Sequence, residues 1–280
     1  MGAEVSGGEL MMHRHSGLKT ALGIFFTAIM LFPVYWMVNI SFTAKGSIRS
    51  GDLFPKDFTL DNYARVLDIQ LPNLATSIIL ALCCVILTLL IALPSAYALS
   101  LLRVRGSRVI SFLLIVAQMI PAVVVTLGFY EIYNKIGLLD TIPGLVLADS
   151  TIAVPFAVML LTSFMESIPI SLLEAAEVDG ATKMRRFISI VIPLSRNSIV
   201  TVSLFAFLWA WSDFLFASTL DGGGSRRPIT LGLYAYIGAQ TQEWGPMMAT
   251  AVLSSIPATI LLVFAQKYVA AGVTAGAVKD

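Results

Sequence analysis

Charge is what this 280-residue sequence has least of. Lys, Arg, Asp and Glu together make up 12% of it, where a soluble domain of this size carries about a quarter. That scarcity, with 57% hydrophobic residues and a mean hydropathy of +0.85, excludes an ordinary water-soluble globule and marks a polytopic membrane protein. The formal net charge of +1 gives no footing for nucleic acid or another polyanion. Cysteine is limited to Cys83 and Cys84, adjacent inside an apolar run, which excludes a disulfide framework and leaves a metal site without its remaining ligands. The two histidines, His13 and His15, lie in the N-terminal tail without a metal constellation. No G-x-x-x-x-G-K-[ST] occurs anywhere, so the chain has no phosphate cradle of its own and is not expected to bind ATP by that route. The apolar runs show no nucleophile with a base and no metal cluster, which points away from an enzyme and from any bound cofactor.

What is present is a series of apolar runs of spanning length, at about 18–40, 74–102, 109–133, 141–165, 198–220 and 247–269. The first rises about 34 Å as a helix, too long for a signal-peptide core and enough to cross the hydrocarbon. Proline falls inside or beside these runs at Pro33, Pro94, Pro121, Pro155 and Pro257, which membrane helices tolerate where neighbours satisfy the freed carbonyls. Six spans place both termini on one side. Arg14, Lys19, Arg103, Arg105, Arg108, Lys183, Arg185, Arg186, Arg196, Lys267 and Lys279 would share a face, against Lys45, Arg49, Lys56, Arg65, Lys135, Arg226 and Arg227 on the other. The positive-inside tendency puts the richer face in the cytoplasm. The resulting division is a cytoplasmic tail at 1–17, a six-span domain at 18–269 with a cytoplasmic loop at 166–197, and a cytoplasmic tail at 270–280. On the outer side, Thr59 is placed to cap a short surface helix with Leu60, Tyr63, Val66 and Leu67 on one face.

Against this background 174-EAAEVDGATKMRRFISIVIPLS-195 stands out. It packs Glu174, Glu177, Asp179, Lys183, Arg185 and Arg186 into thirteen residues. At roughly 2.5 to 3.5 kcal/mol per charge at the bilayer centre, six would cost on the order of 15 to 21 kcal/mol, so the segment lies outside the hydrocarbon. Ser171 and Glu174 have capping-box spacing, and Gly180 can stop the helix in the left-handed conformation. A helix of about nine residues then exposes Glu174 and Glu177 and presents Ala175 and Ala176, a small-residue surface that permits close approach. A second helix begins near Thr182, with Met184, Phe187, Ile188, Val191 and Ile192 on one face and Lys183 and Arg186 on the other. These features alone leave an amphipathic connector and a docking element equally open.

Glu174, Ala175, Ala176 and Gly180, then nine residues to Ile190 and one more before Ile192 and Pro193, resemble the EAA-x3-G-x9-I-x-L-P signature of membrane subunits of ATP-driven importers, with Ile192 standing for the usual Leu. The stretches 58-FTLDNY-63 and 272-GVTAGAVK-279 are similar to the carbohydrate branch of that family, the maltose-type permeases. Asp280 stands where relatives commonly have Gly. The resemblance implies an all-α fold of the type I importer permease, lodged in a bacterial cell membrane. It also implies that the short helix is a coupling helix, with Glu174, Ala175, Ala176, Asp179, Gly180 and Arg185 meeting an ATPase. The C-terminal residues Gly276, Val278 and Lys279 would reach the same ATPase. The implied partners are a second permease subunit, an ATPase homodimer, an extracytoplasmic sugar-binding protein, the sugar itself and membrane lipids.

Ionisable residues inside spans are function candidates by default. Asp213, within 207-FLWAWSDFLFA-217, has Trp209 and Trp211 beside it. A carboxylate can meet sugar hydroxyls and an indole can meet the apolar ring face, whereas a buried aspartate that merely ties spans together is the alternative. Gln118 is a further pathway candidate, and Glu131 and Asp149 are expected at the outer ends of spans three and four. An ion-coupled secondary transporter would need inverted repeats and several intramembrane ion ligands, and no repeat is visible. A permease for glycerol phosphate or another small solute is the nearer alternative, though basic residues are lacking in the spans.

Overall fold

A computed structural model describes residues 6–44, 52–55, 57–102, 104–223, 227–237 and 243–277, with side chains described from Lys19 to Tyr268 within those segments. Helices dominate: α1 (Ser6–Ser41), α2 (Asp61–Ser100), α3 (Ser107–Gln118), α4 (Ala122–Ile136), α5 (Ile142–Met165), α6 (Ile170–Val178), α7 (Lys183–Arg186), a π-helical turn (Phe187–Val191), α8 (Ile192–Leu194), α9 (Arg196–Ser212), α10 (Leu215–Leu220), α11 (Ile229–Tyr234) and α12 (Trp244–Ala277). Among the described residues the only extended pairing is a single bridge between Thr43 and Phe58.

Among the described residues four helices are long and apolar enough to cross a membrane: Lys19–Ser41 of α1, Asp61–Ser100, Ile142–Met165 and Trp244–Tyr268 of α12. The count reaches six when two bent pairs are each taken as one span. In the first pair α3 and α4 meet at 92° around Pro121, and in the second Lys183–Leu194 meets Arg196–Ser212 at 77°. Pro121 lacks the N–H that would continue α3 and becomes the N-cap of α4. The expected third span is therefore two half-helices. The fifth is broken too, because Asp213 adopts an extended backbone (φ −64°, ψ 129°) between α9 and α10.

The short outer helix expected around 58–67 does not stand alone. Its residues open α2, which runs unbroken through Pro72 and Pro94 for 40 residues, about 60 Å at 1.5 Å per residue and twice the hydrocarbon thickness. Thr59 Oγ1 still accepts from the Asp61 amide at 3.1 Å, so the cap is real and the helix simply continues.

The chain divides into two compact units, Met1–Asp68 with Tyr236–Leu253, and Ile69–Ala235 with Ser254–Asp280. In the first, Asn62 Nδ2 donates to the carbonyls of Ser41 (3.0 Å) and Thr43 (3.1 Å), and Arg65 pairs with Glu243 at 2.9 Å. Val66, Tyr236 and Ala249 form its small core.

The second unit is built on small residues. Ala81, Cys84, Ala92, Ala96, Ala148, Ala153, Ala157 and Ala206 are all fully or almost fully buried, which lets α2, α5 and α9 approach closely without a hydrophobic drive between helices in lipid. Two core tiers result. One gathers Leu80, Tyr133, Leu145, Phe207, Trp211 and Phe216, and the other Tyr97, Leu161, Met165, Leu173, Val191 and Val202. Thr141 caps α5 by accepting from the Gly144 amide at 3.1 Å. Gly144 is obligatory there, since a Cβ would collide with the Leu138 carbonyl.

Candidate coupling surface and membrane pathway

The nine residues of α6 span Ile170–Val178, as the spacing of the charged block implied. The start differs from the expected capping box. Pro169 is the N-cap and no side chain closes it, because the helix begins one residue before Ser171 and leaves that hydroxyl inside the first turn. The end is a Schellman stop. Gly180 sits at φ +81°, its amide donates to the Glu177 carbonyl at 2.9 Å, and the Ala181 amide donates to the Ala176 carbonyl at 2.9 Å.

Only Leu173 of α6 is buried. Fully burying a leucine is worth roughly 1.5 to 3 kcal/mol, so one side chain anchors the helix to the tier that holds Met165 and Val191. Glu174, Ala175 and Asp179 are exposed and Ala176 is half-buried. Val178 is 89% exposed at the C-terminal end, a bare apolar side chain on an otherwise polar rim.

Thr182 opens α7 as expected, its Oγ1 accepting from the Arg185 amide at 3.3 Å. The facing of the following helix holds in part, with Val191 fully buried, Phe187 packed on the core and Lys183 exposed. Met184 and Ile188 are exposed, whereas Arg186, expected outside, is 8% exposed. The cause is the π-helical turn, in which the Ile192 amide donates to the Phe187 carbonyl. The extra residue per turn shifts the face by which the segment packs. Arg185 is exposed, while Arg186 donates through Nη1 to the Leu173 carbonyl (3.3 Å) and to Glu177 Oε2 (2.7 Å). Neither Arg186 nor this turn was foreseen, and no compositional signal marks a π turn.

The pathway candidates separate. Asp213 turns both oxygens onto α10, accepting from the amides of Phe216 (3.2 Å) and Ala217 (2.9 Å). Trp211 is buried against Phe207 and donates Nε1 to the Ser254 carbonyl at 3.2 Å. Trp209 extends a ladder of stacked rings, Phe156 on Phe205 with centroids 3.9 Å apart and Phe205 on Trp209 at 6.3 Å. Its indole N–H meets no acceptor among the described residues. Gln118 is exposed at the end of α3 and lines a cavity of about 490 Å³ with Ile115, Met119, Phe156, Met159, Leu160 and Ser163.

Glu131 is exposed and lies 3.7 Å from Lys135. Asp149 is not at a wet outer end. It is 1% exposed within α5, and neither carboxyl oxygen has a partner among the described residues. Outside the spans, Asp140 and Asp221 bring two carboxyl groups together. The Asp140 amide donates to the Leu220 carbonyl at 2.9 Å and Asp140 Oδ1 accepts from the Gly223 amide at 3.0 Å. Burial, and then the neighbouring Asp140 charge, push the Asp221 carboxyl up to about 6 against the opposing pull of Arg227. Gly276 is part of α12, whereas Val278 and Lys279 lie outside the described residues. Among the described residues no group of three or more His, Cys, Asp or Glu could hold a metal.

Residues 88–275 match the family described as binding-protein-dependent transport system inner membrane component. A trehalose transport system permease protein of Mycobacterium tuberculosis is 30% identical over 253 residues, covering 89% of this chain and 92% of its own. A diacetylchitobiose uptake system permease protein of Streptomyces coelicolor is 32% identical over 256 residues, again 89% and 92%. Among solved structures, a chain of a bacterial importer of the acidic polysaccharide alginate superposes with a TM-score of 0.76 at 24% identity, covering 95% of this chain and 99% of that one.

Proposed function

Because the chain belongs to the binding-protein-dependent transport system inner membrane components, we propose that it is the permease subunit of an ATP-driven carbohydrate importer, taking sugar from an extracytoplasmic binding protein. The observation that carries the mechanism is α6: a nine-residue helix with one buried side chain, a left-handed glycine stop and an exposed surface of Glu174, Ala175, Val178 and Asp179. A helix so presented is a handle rather than a packing element. In this reading it seats on a cytoplasmic ATPase, with Ala176, Gly180 and Arg185 bordering the contact and Gly276, Val278 and Lys279 reaching the same partner. ATP and Mg are held there, and the permease itself is not catalytic. Closure of the ATPase dimer pushes α6 and rotates the spans, so that the path opens alternately to each side. One chain carries one such helix, so a dimeric ATPase calls for a second permease subunit.

The domain division is read accordingly, with the tails at 1–17 and 270–280 and the loop at 166–197 in the cytoplasm. The solute path runs past Gln118 and the Trp209 indole, while Asp213 and Trp211 support its wall through α10 and the Ser254 carbonyl. Sugar relatives, and six apolar runs whose only basic residues, Lys19 and Lys267, lie at their ends, favour a carbohydrate over glycerol phosphate. Among the described residues, the buried Asp149 and the half-buried Asp213 are the unexposed carboxylates of the spans, which gives a secondary transporter little to work with.

The test is purification of the tagged chain from native membranes in gentle detergent, with ATP hydrolysis measured as sugar-loaded binding protein is added. Recovery with an ATPase and a second six-span chain, and hydrolysis that rises with the loaded binding protein, is the expected result. Recovery of the chain alone, without hydrolysis, would overturn it in favour of ion-coupled transport.

A further inference from the structure

Beyond α6 itself, the coupling segment is held by two side chains. The first is Arg186. It immediately precedes the π-helical turn, its side chain is 10% exposed, and through Nη1 it holds both the Leu173 carbonyl and Glu177 Oε2. Both of those belong to α6, so a single guanidinium fastens α6 to α7 across the Gly180 stop. The connection between these helices is otherwise the loop from Asp179 to Thr182 and the core tier that Leu173 shares with Val191, and an apolar contact at one residue leaves α6 free to swing about it. A planar guanidinium fixes direction as well as distance in a way that an ammonium does not.

The second is Tyr97, in the last turn of α2. Its hydroxyl donates to the Lys183 carbonyl at 3.3 Å, and its ring stacks on Phe187 with centroids 5.0 Å apart and planes 27° from parallel. Tyr97 is 6% exposed and shares its core tier with Leu173 and Val191. The contacts therefore run in series from α6 through Arg186 to α7, and from α7 and the π turn through Tyr97 to α2. The chain itself joins the π turn to α9.

We propose that Arg186 and Tyr97 are positioning residues that make α6, α7 and the cytoplasmic end of α2 move as one body. A push on α6 then reaches α2 through Tyr97 as well as α9 through the backbone. Two spans turning together keep their packing on each other and move as one wall of the path, whereas one span turning alone would only shear against its neighbours. This rests on α6 being the helix that meets the ATPase, and that premise is checked separately below.

The experiment uses the complete transporter, with its ATPase, second permease subunit and binding protein, in proteoliposomes. Uptake and ATP hydrolysis are measured in the same vesicles and reported as solute moved per ATP. A loss of folded protein lowers both rates and leaves their ratio unchanged, so the ratio reads linkage rather than stability. Arg186→Ala and Tyr97→Leu are expected to lower it about five- to tenfold, the lower range of coupling between sites. Arg186→Lys, which keeps the charge without the planar guanidinium, and Tyr97→Phe, which keeps the ring without the hydroxyl, are expected to fall between those variants and the parent. The mild pair also keeps the test open should the severe pair fail to assemble.

Photocross-linking to the ATPase from a benzophenone maleimide on Ala175→Cys, in a chain otherwise carrying only Cys83→Ser and Cys84→Ala, tests the premise. Cross-linking with an unchanged ratio in all four variants would overturn the linkage while leaving α6 on the ATPase. Absence of cross-linking would overturn the premise and the linkage with it.

Discussion

Asp213 shows how a residue type can be legible while its task is not. An aspartate among tryptophans within an apolar run invites a sugar, yet its two oxygens are occupied by the amides of Phe216 and Ala217. Those amides start a helix broken off from α9, and a break of two residues leaves no periodicity to read. Asp213→Asn keeps one oxygen acceptor, so its uptake and melting temperature should stay near those of the parent. Asp213→Ala removes the cap and should cost about 1 kcal/mol, within the range for caps, read as a lower Tm in detergent. Reduced uptake by Asp213→Asn at unchanged Tm would instead put the carboxylate in the path.

Asp221 carries a pH dependence. Its carboxyl is raised from 3.8 to about 6 by burial and by Asp140. The folded state then holds more protons than the unfolded state between those values, so stability falls as pH rises through that window. Below about pH 4 the contribution is fully present, and above about pH 6 it is lost. Thermal unfolding in detergent across pH 4 to 7 should show this fall, and Asp221→Asn should flatten it. A profile equally steep in the variant would assign the fall elsewhere. From sequence Asp140 and Asp221 are two unremarked loop residues 81 positions apart, and only the fold joins them.

At the scale of elements, α6 was the most legible part of the chain. Charge density argues it out of the bilayer, and the nine-residue length and glycine stop match the spacing although the capping box expected at its start does not form. What escaped was its attachment. The facing of α7 was inferred from an α-helical period, and the π turn breaks that period where Arg186 turns inward. The depth of Asp149 escaped for a related reason: position along an apolar run says nothing of which face is buried. The Gly180 stop supports a direct test. At φ +81° a β-branched residue should cost about 1 to 2 kcal/mol and redirect the end of α6. Gly180→Val is expected to insert and fold but to hydrolyse ATP with little uptake, and normal uptake would remove the stop from the mechanism.

For the whole molecule, burial grades the spans. The α5 window is 61% buried and that of α2 33%, against 11% for α12 and none for α1. Both α1 and α3 turn large apolar side chains outward, Phe25 and Met30 in one and Phe112 and Leu113 in the other. Such surface is stable only against lipid or another apolar chain. The spans were legible because hydrophobic length is their whole signal, whereas their breaks depend on what Pro121 and Asp213 meet in space. Sidedness is tested by labelling. In a chain carrying Cys83→Ser and Cys84→Ala, Ala175→Cys should react with an impermeant maleimide only in inside-out vesicles, and Gly222→Cys only in right-side-out ones. The reverse pattern would invert the topology.

The π turn sets a rule for grafting. Its hydrogen bond from Ile192 to Phe187 closes a ring one residue larger than that of the α-helix. Deleting one residue between them would restore the ordinary winding and rotate everything upstream by about 100° around the axis of the span. Arg186 would then leave its seat beneath Leu173, and α6 would point elsewhere with every one of its own residues intact. A chimera that borrows this loop for a foreign importer must therefore be spliced outside Pro169 and Ser195, since a junction within the π turn would transplant the letters of the motif and lose its aim.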